Sequence, residues 1–142
     1  MIETVYTAEV TSTGGRTDGR ARSTDGNLDL GISIPGSGGA GTNPEELFAA
    51  GYAACFGSAV QLTARRMKVD PADVAVRARV HLGKVEGGFG IGVELDVTVP
   101  RADQATAAEL VRRAHEVCPY SRATRGNVEV ELTAHGGAAA AA

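Results

Sequence analysis

The sequence is poor in cysteine, in clustered positive charge and in long apolar runs, and it has no tryptophan. Each scarcity excludes something. No segment reaches the ~18 consecutive apolar residues that mark a membrane span, so no membrane partner is expected. A net charge of −3, spread along the chain without a basic stripe, argues against nucleic acid as a partner. The opening stretch MIETVYTAEV has neither a basic n-region nor an apolar h-region, so a signal peptide is not expected and the chain is read as cytoplasmic. Two cysteines, Cys55 and Cys118, stand far apart with no CxxC spacing. In a reducing compartment a transient redox disulfide fits such a pair better than a permanent one. No internal repeat is evident, and 142 residues suffice for one domain with its own core, with about 135–142 as a flexible Gly/Ala tail.

What is present reads as an α+β pattern. TVYTAEVTST alternates like a strand and is stopped by GGRTDG; RARSTDGNLDLGISI gives two short strands around an Asp25-Gly26 turn. Asn43-Pro44-Glu45-Glu46 opens a helix, with Asn43 as N-cap, Pro44 in the first position and Glu46 where a capping-box acid stands. That helix is expected to run to about Met67 and to be buried on more than one face. DVAVRARVHLGKV and GIGVELDVTV form a hairpin across EGGFG, with Arg77, Arg79, His81, Glu94 and Asp96 on its outward side. ADQATAAELVRRAHEVC is an amphipathic helix stopped by Pro119, and NVEVELTA is a last strand. The order is βββ-α-ββ-α-β, with helices on antiparallel sheet. The first three strands are a thin cover for so apolar a helix, and a dimer sharing its core answers that deficit.

The chemistry centres on LFAAGYAACFGSAV. Free cysteine is among the most buried residue types, so Cys55 between Ala54 and Phe56 reads first as packing. Packing alone leaves unexplained a second thiol at a helix end, in Cys118-Pro119-Tyr120-Ser121, and an arginine, Arg16, set among glycines. A thiol of pKa ~8.5 is only a few per cent ionised at neutral pH. A guanidinium beside it in a semi-buried site is expected to lower that value. An acid to orient the arginine is available in Glu45 or Glu46. Glu45 precedes Cys55 by about 15 Å along an unbroken helix. One arginine therefore reaches both only if the helix bends near Gly51 or if a second subunit supplies the acid, and the thin strand cover favours the second subunit. His115, three positions before Cys118, gives at most a weak metal site. GSGGAGTN lacks the Lys-Ser ending of a phosphate loop.

GAGTNPEELFAAGYAACFGSA, VCPYSRATRGNVEVELT and TGGRTDGRARS together closely resemble the organic hydroperoxide resistance proteins, the peroxidase branch of the Ohr/OsmC superfamily. The resemblance implies a cysteine peroxidase that reduces alkyl and fatty-acid hydroperoxides to alcohols in the oxidative stress response. On that resemblance Cys55 is the peroxidatic cysteine, Cys118 the resolving cysteine, Arg16 the catalytic arginine, and Glu45, not Glu46, its partner. It further implies an OsmC-like, intertwined homodimer with two central helices, no resident cofactor and no metal. The reductant is a lipoylated protein or small dithiol. The rivals are an OsmC-like peroxidase of broader peroxide preference, a binding protein with inert thiols, and a redox sensor without turnover.

Overall fold

The computed structural model describes residues 2–137. The chain divides into two compact units, Met1–Leu47 and Phe48–Ala142, with the boundary falling inside the first helix. The last strand runs through Gly136, past the start of the tail expected from about 135; residues 138–142 lie outside the described part.

The first unit is a three-stranded antiparallel sheet of β1 (Val10–Thr13), β2 (Asp18–Ser23) and β3 (Asp29–Ser33) in the order β1-β2-β3. β1 is shorter than the alternation from Thr4 suggests. Residues 4–9 lack a ladder partner, and Val5 and Tyr6 stand 97% and 77% exposed. The β2–β3 turn forms as expected. The Asp25 carboxylate accepts from the Ser23 hydroxyl and the Asn27 amide, and Gly26 takes a positive φ of 77°. Among the described residues of this unit, only Ala21 and Ile32 of the apolar ones are buried.

The second unit holds β4 (Ala75–Val85), β5 (Gly88–Val99) and β6 (Val130–Gly136) in the order β4-β5-β6. β4 and β5 are an antiparallel hairpin, but β6 runs parallel to β5. The sheet is thus mixed where an antiparallel one was expected. A tight turn returns a strand antiparallel, whereas the return from β5 to β6 passes over helical segments long enough for a crossover. Those segments are two. α2 (Gln104–Val117) is capped by Asp103, whose carboxylate accepts from the Thr106 amide. α3 (Pro119–Thr124) follows at once, so Pro119 ends one helix and occupies the first turn of another.

The long helix α1 (Pro44–Arg66) forms where expected. Its buried residues Tyr52, Phe56, Ala59, Val60, Thr63 and Ala64 follow one helical stripe. The second buried face that was expected is open: Ala50, Ala54, Ser58, Gln61 and Leu62 are exposed. By length and composition α1 could cross a membrane. Tyr52, Phe56, Val60 and Ala64 nevertheless pack with Val93, Leu95, Val97 and Val99 of β5 and Leu110, Val111 and Ala114 of α2, as a core helix does. On the other side of β4 and β5, Arg79 meets Asp96 at 3.1 Å and Glu94 at 3.5 Å.

Leu110 is fully buried in this cluster. Truncation to alanine is expected to cost about 2–5 kcal/mol, read as a lower urea midpoint at unchanged slope; a loss below about 1 kcal/mol would show that the site collapses around the deletion.

Candidate active site

Two pairs of side chains expected from the sequence are assembled, one in each unit. In the first, Arg16 lies in the β1–β2 loop and Glu45 in the first turn of α1. Their contact is bidentate, with Nη1 donating to Oε2 at 2.9 Å and Nη2 to Oε1 at 2.7 Å. The parallel fork adds geometric specificity to the charge. The glycine-flanked Arg16 loop is tightly closed. A Cβ on Gly14 would stand 2.2 Å from the Asp18 carbonyl oxygen, and one on Gly19 2.1 Å from that of Gly15. Glu46 is engaged elsewhere: it accepts from the Thr42 hydroxyl at 2.9 Å and the Asn43 amide at 3.2 Å. Its own backbone N–H donates to Asn43 Oδ1 at 2.9 Å. Neighbouring glutamates thus divide the work, Glu46 capping the helix and Glu45 holding the arginine.

In the second unit Cys55 Sγ and Cys118 Sγ approach to 3.7 Å as free thiols. Cys118 is completely buried at the α2–α3 junction, while Cys55 is partly exposed on α1. Burial is the main influence on Cys55 and raises its pKa; the neighbouring Cys118 thiol raises it further, and the Tyr120 backbone N–H opposes both. This unit by itself therefore favours the neutral thiol, contrary to the lowered pKa expected. Desolvation penalises the charged form, and every group acting on the sulfur here is uncharged while both thiols are protonated.

A cavity of about 810 Å³ is lined by Phe48, Val85, Phe89, Ile91, Tyr120 and Val128 among others, with neither cysteine in its wall. Of the four aromatic residues on α1 and β5, Phe48 and Phe89 are there. Tyr52 and Phe56 are fully buried in the core instead. Tyr120 joins cavity to thiol, its ring lining the one and its N–H facing the other. Gly51 makes room for that ring, since a Cβ there would stand 2.7 Å from the Tyr120 hydroxyl.

The chain matches the OsmC-like protein family over residues 35–133. It is 53% identical over 134 residues to the organic hydroperoxide resistance protein of Xanthomonas axonopodis pv. citri, covering 91% of this chain and 94% of that one. The crystal structure of the organic hydroperoxide resistance protein OhrB of Bacillus subtilis superposes with a TM-score of 0.84 at 49% identity, covering 92% of this chain and 98% of that one. An organic hydroperoxide resistance protein from Legionella pneumophila gives 0.86 at 44% identity, with coverages of 95% and 99%.

The chain belongs to the OsmC-like family and groups with its organic hydroperoxide resistance proteins. Within that family frame, sequence reasoning missed α3 and the Tyr120 amide. The signal was there: Cys118-Pro119 can cap and open a helix as readily as Pro119 can close one. It also missed the partner of His115. This histidine's Nδ1 lies 2.8 Å from Ser121 Oγ, and burial lowers its pKa. Among the described residues no cluster of three or more His, Cys, Asp or Glu side chains offers a metal site.

The Arg16 fork holds the Glu45 pKa below its ordinary value. A depressed carboxylate contributes stability that is complete above its unfolded pKa and is lost as pH falls through the folded value. Carboxyl NMR of Glu45 is therefore expected to titrate below the usual glutamate range, and to rise into or above it in Arg16→Met. An unshifted wild-type Glu45 would mean the fork is not held in solution.

Proposed function

We propose that this protein is a thiol-dependent peroxidase that reduces organic hydroperoxides to alcohols, with Cys55 as the peroxidatic and Cys118 as the resolving cysteine. The single observation that carries the reading is the 3.7 Å approach of two free thiols brought together from distant parts of the chain. The apolar cavity beside Tyr120 suits an alkyl chain better than hydrogen peroxide.

The Cys55 thiolate attacks the terminal peroxide oxygen. The O–O bond breaks, the alkoxide leaves and takes a proton as the alcohol, and Cys55 becomes a sulfenic acid. Cys118 condenses with it to a disulfide, releasing water, and an external dithiol, lipoylated or small, restores both thiols by exchange. No cofactor is assigned.

Burial that raises the Cys55 pKa also strengthens any cation placed beside it, because the local dielectric is low. Arg16, oriented by Glu45, is the cation we assign to that task. We assign the complete site to a homodimer. Ala50, Ala54 and Ser58 leave a narrow exposed strip on α1 that a second copy can approach closely, and the apolar residues Val5 and Tyr6 await cover. A reducing, cytoplasmic setting keeps such thiols ready.

With cumene hydroperoxide and a dithiol, Cys55→Ser is expected to abolish turnover, and Cys118→Ser to allow one turnover and then stall. Sustained cycling by Cys118→Ser would remove the resolving role. Equal kcat/KM for hydrogen peroxide and cumene hydroperoxide would favour a peroxidase of broader preference.

Arg16→Met is expected to move the pH midpoint of Cys55 alkylation upward from the wild-type value, since removing a cation leaves burial unopposed. Identical profiles would confine Arg16 to a loop role.

A further inference from the structure

Near both cysteines in sequence runs a chain of polar side chains, buried except at His115, that the chemistry above does not use. His115 Nδ1 lies 2.8 Å from Ser121 Oγ, which lies 2.8 Å from the Tyr52 hydroxyl, which lies 3.2 Å from Thr124 Oγ1. Tyr52 and Ser121 are completely buried, and Thr124 nearly so. The hydrogens can be counted along it. Thr124 donates its hydroxyl hydrogen to the Ser121 carbonyl at 3.1 Å, so Tyr52 donates to Thr124. Ser121 then donates to Tyr52, and His115 has to donate to Ser121 from Nδ1. Every hydroxyl has one hydrogen, so no other assignment satisfies all four contacts.

The placement of this chain matters more than its energy. Tyr52 stands three residues before Cys55 on α1, and Ser121 three residues after Cys118 on α3. Their bond ties the carriers of the two sulfurs directly together. The joint is closed from the other side by Arg125, whose guanidinium donates to the His115 carbonyl at 2.6 Å, binding the end of α2 to the end of α3. Cys118 itself makes no side-chain capping bond, so its sulfur is placed by this frame and by packing.

We propose that Tyr52, Ser121 and His115 are positioning residues for the resolving step, holding the α2–α3 joint so that Cys118 meets Cys55 after oxidation. The inference rests on the redox pair assigned above. In that step the Cys118 sulfur attacks the sulfenic sulfur of Cys55: the S–S bond forms and the S–O bond breaks. Cys118 is oxidised, Cys55 is reduced, and the departing hydroxide takes the thiol proton as water. Cys55 reaches its sulfenic acid without Cys118, so loosening the joint slows condensation and spares the first oxidation.

The test is rapid quench of reduced protein with one equivalent of cumene hydroperoxide, trapping sulfenic acid with dimedone and reading disulfide by intact mass. Tyr52→Phe and Ser121→Ala are expected to slow condensation by about ten-fold or more with Cys55 oxidation unchanged. The sulfenic acid then persists and sulfinic acid builds up in excess peroxide. His115→Asn, which keeps a donor near the Nδ1 position, is expected to condense at close to the wild-type rate, and His115→Leu is not. Condensation at the wild-type rate in all four variants overturns the proposal. Tyr52→Phe, which removes one oxygen and keeps the ring, decides the matter if Ser121→Ala does not fold. A wild-type protein that forms no disulfide with hydroperoxide refutes the peroxidase reading instead. Closure by diamide, which needs no sulfenic acid, then tests the frame alone: slower closure in Tyr52→Phe than in wild type supports it, and equal closure overturns it.

Discussion

A disulfide demands that two Cα atoms come within roughly 7 Å with their side chains converging, and in the second unit the seating of three helices brings the two sulfurs to 3.7 Å. α1 lays a single apolar stripe into the core, with Cys55 at its edge. α2 packs Leu110, Val111 and Ala114 into the same core and ends where Cys118 begins a new helix. The 3.7 Å between the sulfurs is a consequence of those two packings. Shifting either helix by one residue would turn its thiol away, because each step rotates a side chain by about 100°. The Tyr120 amide is placed by the same junction, one residue past the proline that allows it.

The environment made by that packing is in tension with the proposed chemistry, and the tension is informative. A sulfur partly buried against apolar groups is pushed toward its inert, protonated form. A charge brought from outside the second unit would relieve this, and the proposed mechanism gives that role to Arg16, which makes a two-point contact with Glu45. Because Glu46 has taken over the helix cap, Glu45 is free to serve the arginine. The homodimer proposed above would cover the exposed small residues of α1 and the apolar segment before β1.

Local signals made much of this legible in the sequence. The Asn-Pro-Glu-Glu start, the Asp-Gly turn and the alternation around EGGFG placed α1, the β2–β3 turn and the β4–β5 hairpin. Motif resemblance named Cys55 with Cys118 and Arg16 with Glu45, and the fold brings each of these pairs into contact. What escaped was set by longer-range physics. The direction of β6 depends on how the chain crosses back over the sheet, not on its own alternation. Pro119 has two opposite meanings for a helix, and only the packing of Ser121 and Thr124 beneath Tyr52 chooses between them. The raised thiol follows from burial, which a run of small residues does not quantify. Tyr52 and Phe56, plausible as pocket walls by type, were claimed by the core because their spacing puts them on the buried stripe.

The most direct measurement is the intact mass and thiol count of reduced protein after one equivalent of an alkyl hydroperoxide. The redox-pair account predicts the loss of two thiols and about two mass units per chain, the signature of one intramolecular disulfide, with Cys55 and Cys118 joined in the peptide map. Two surviving thiols and an unchanged mass would make Cys55 a packed core residue and contradict the account at its centre.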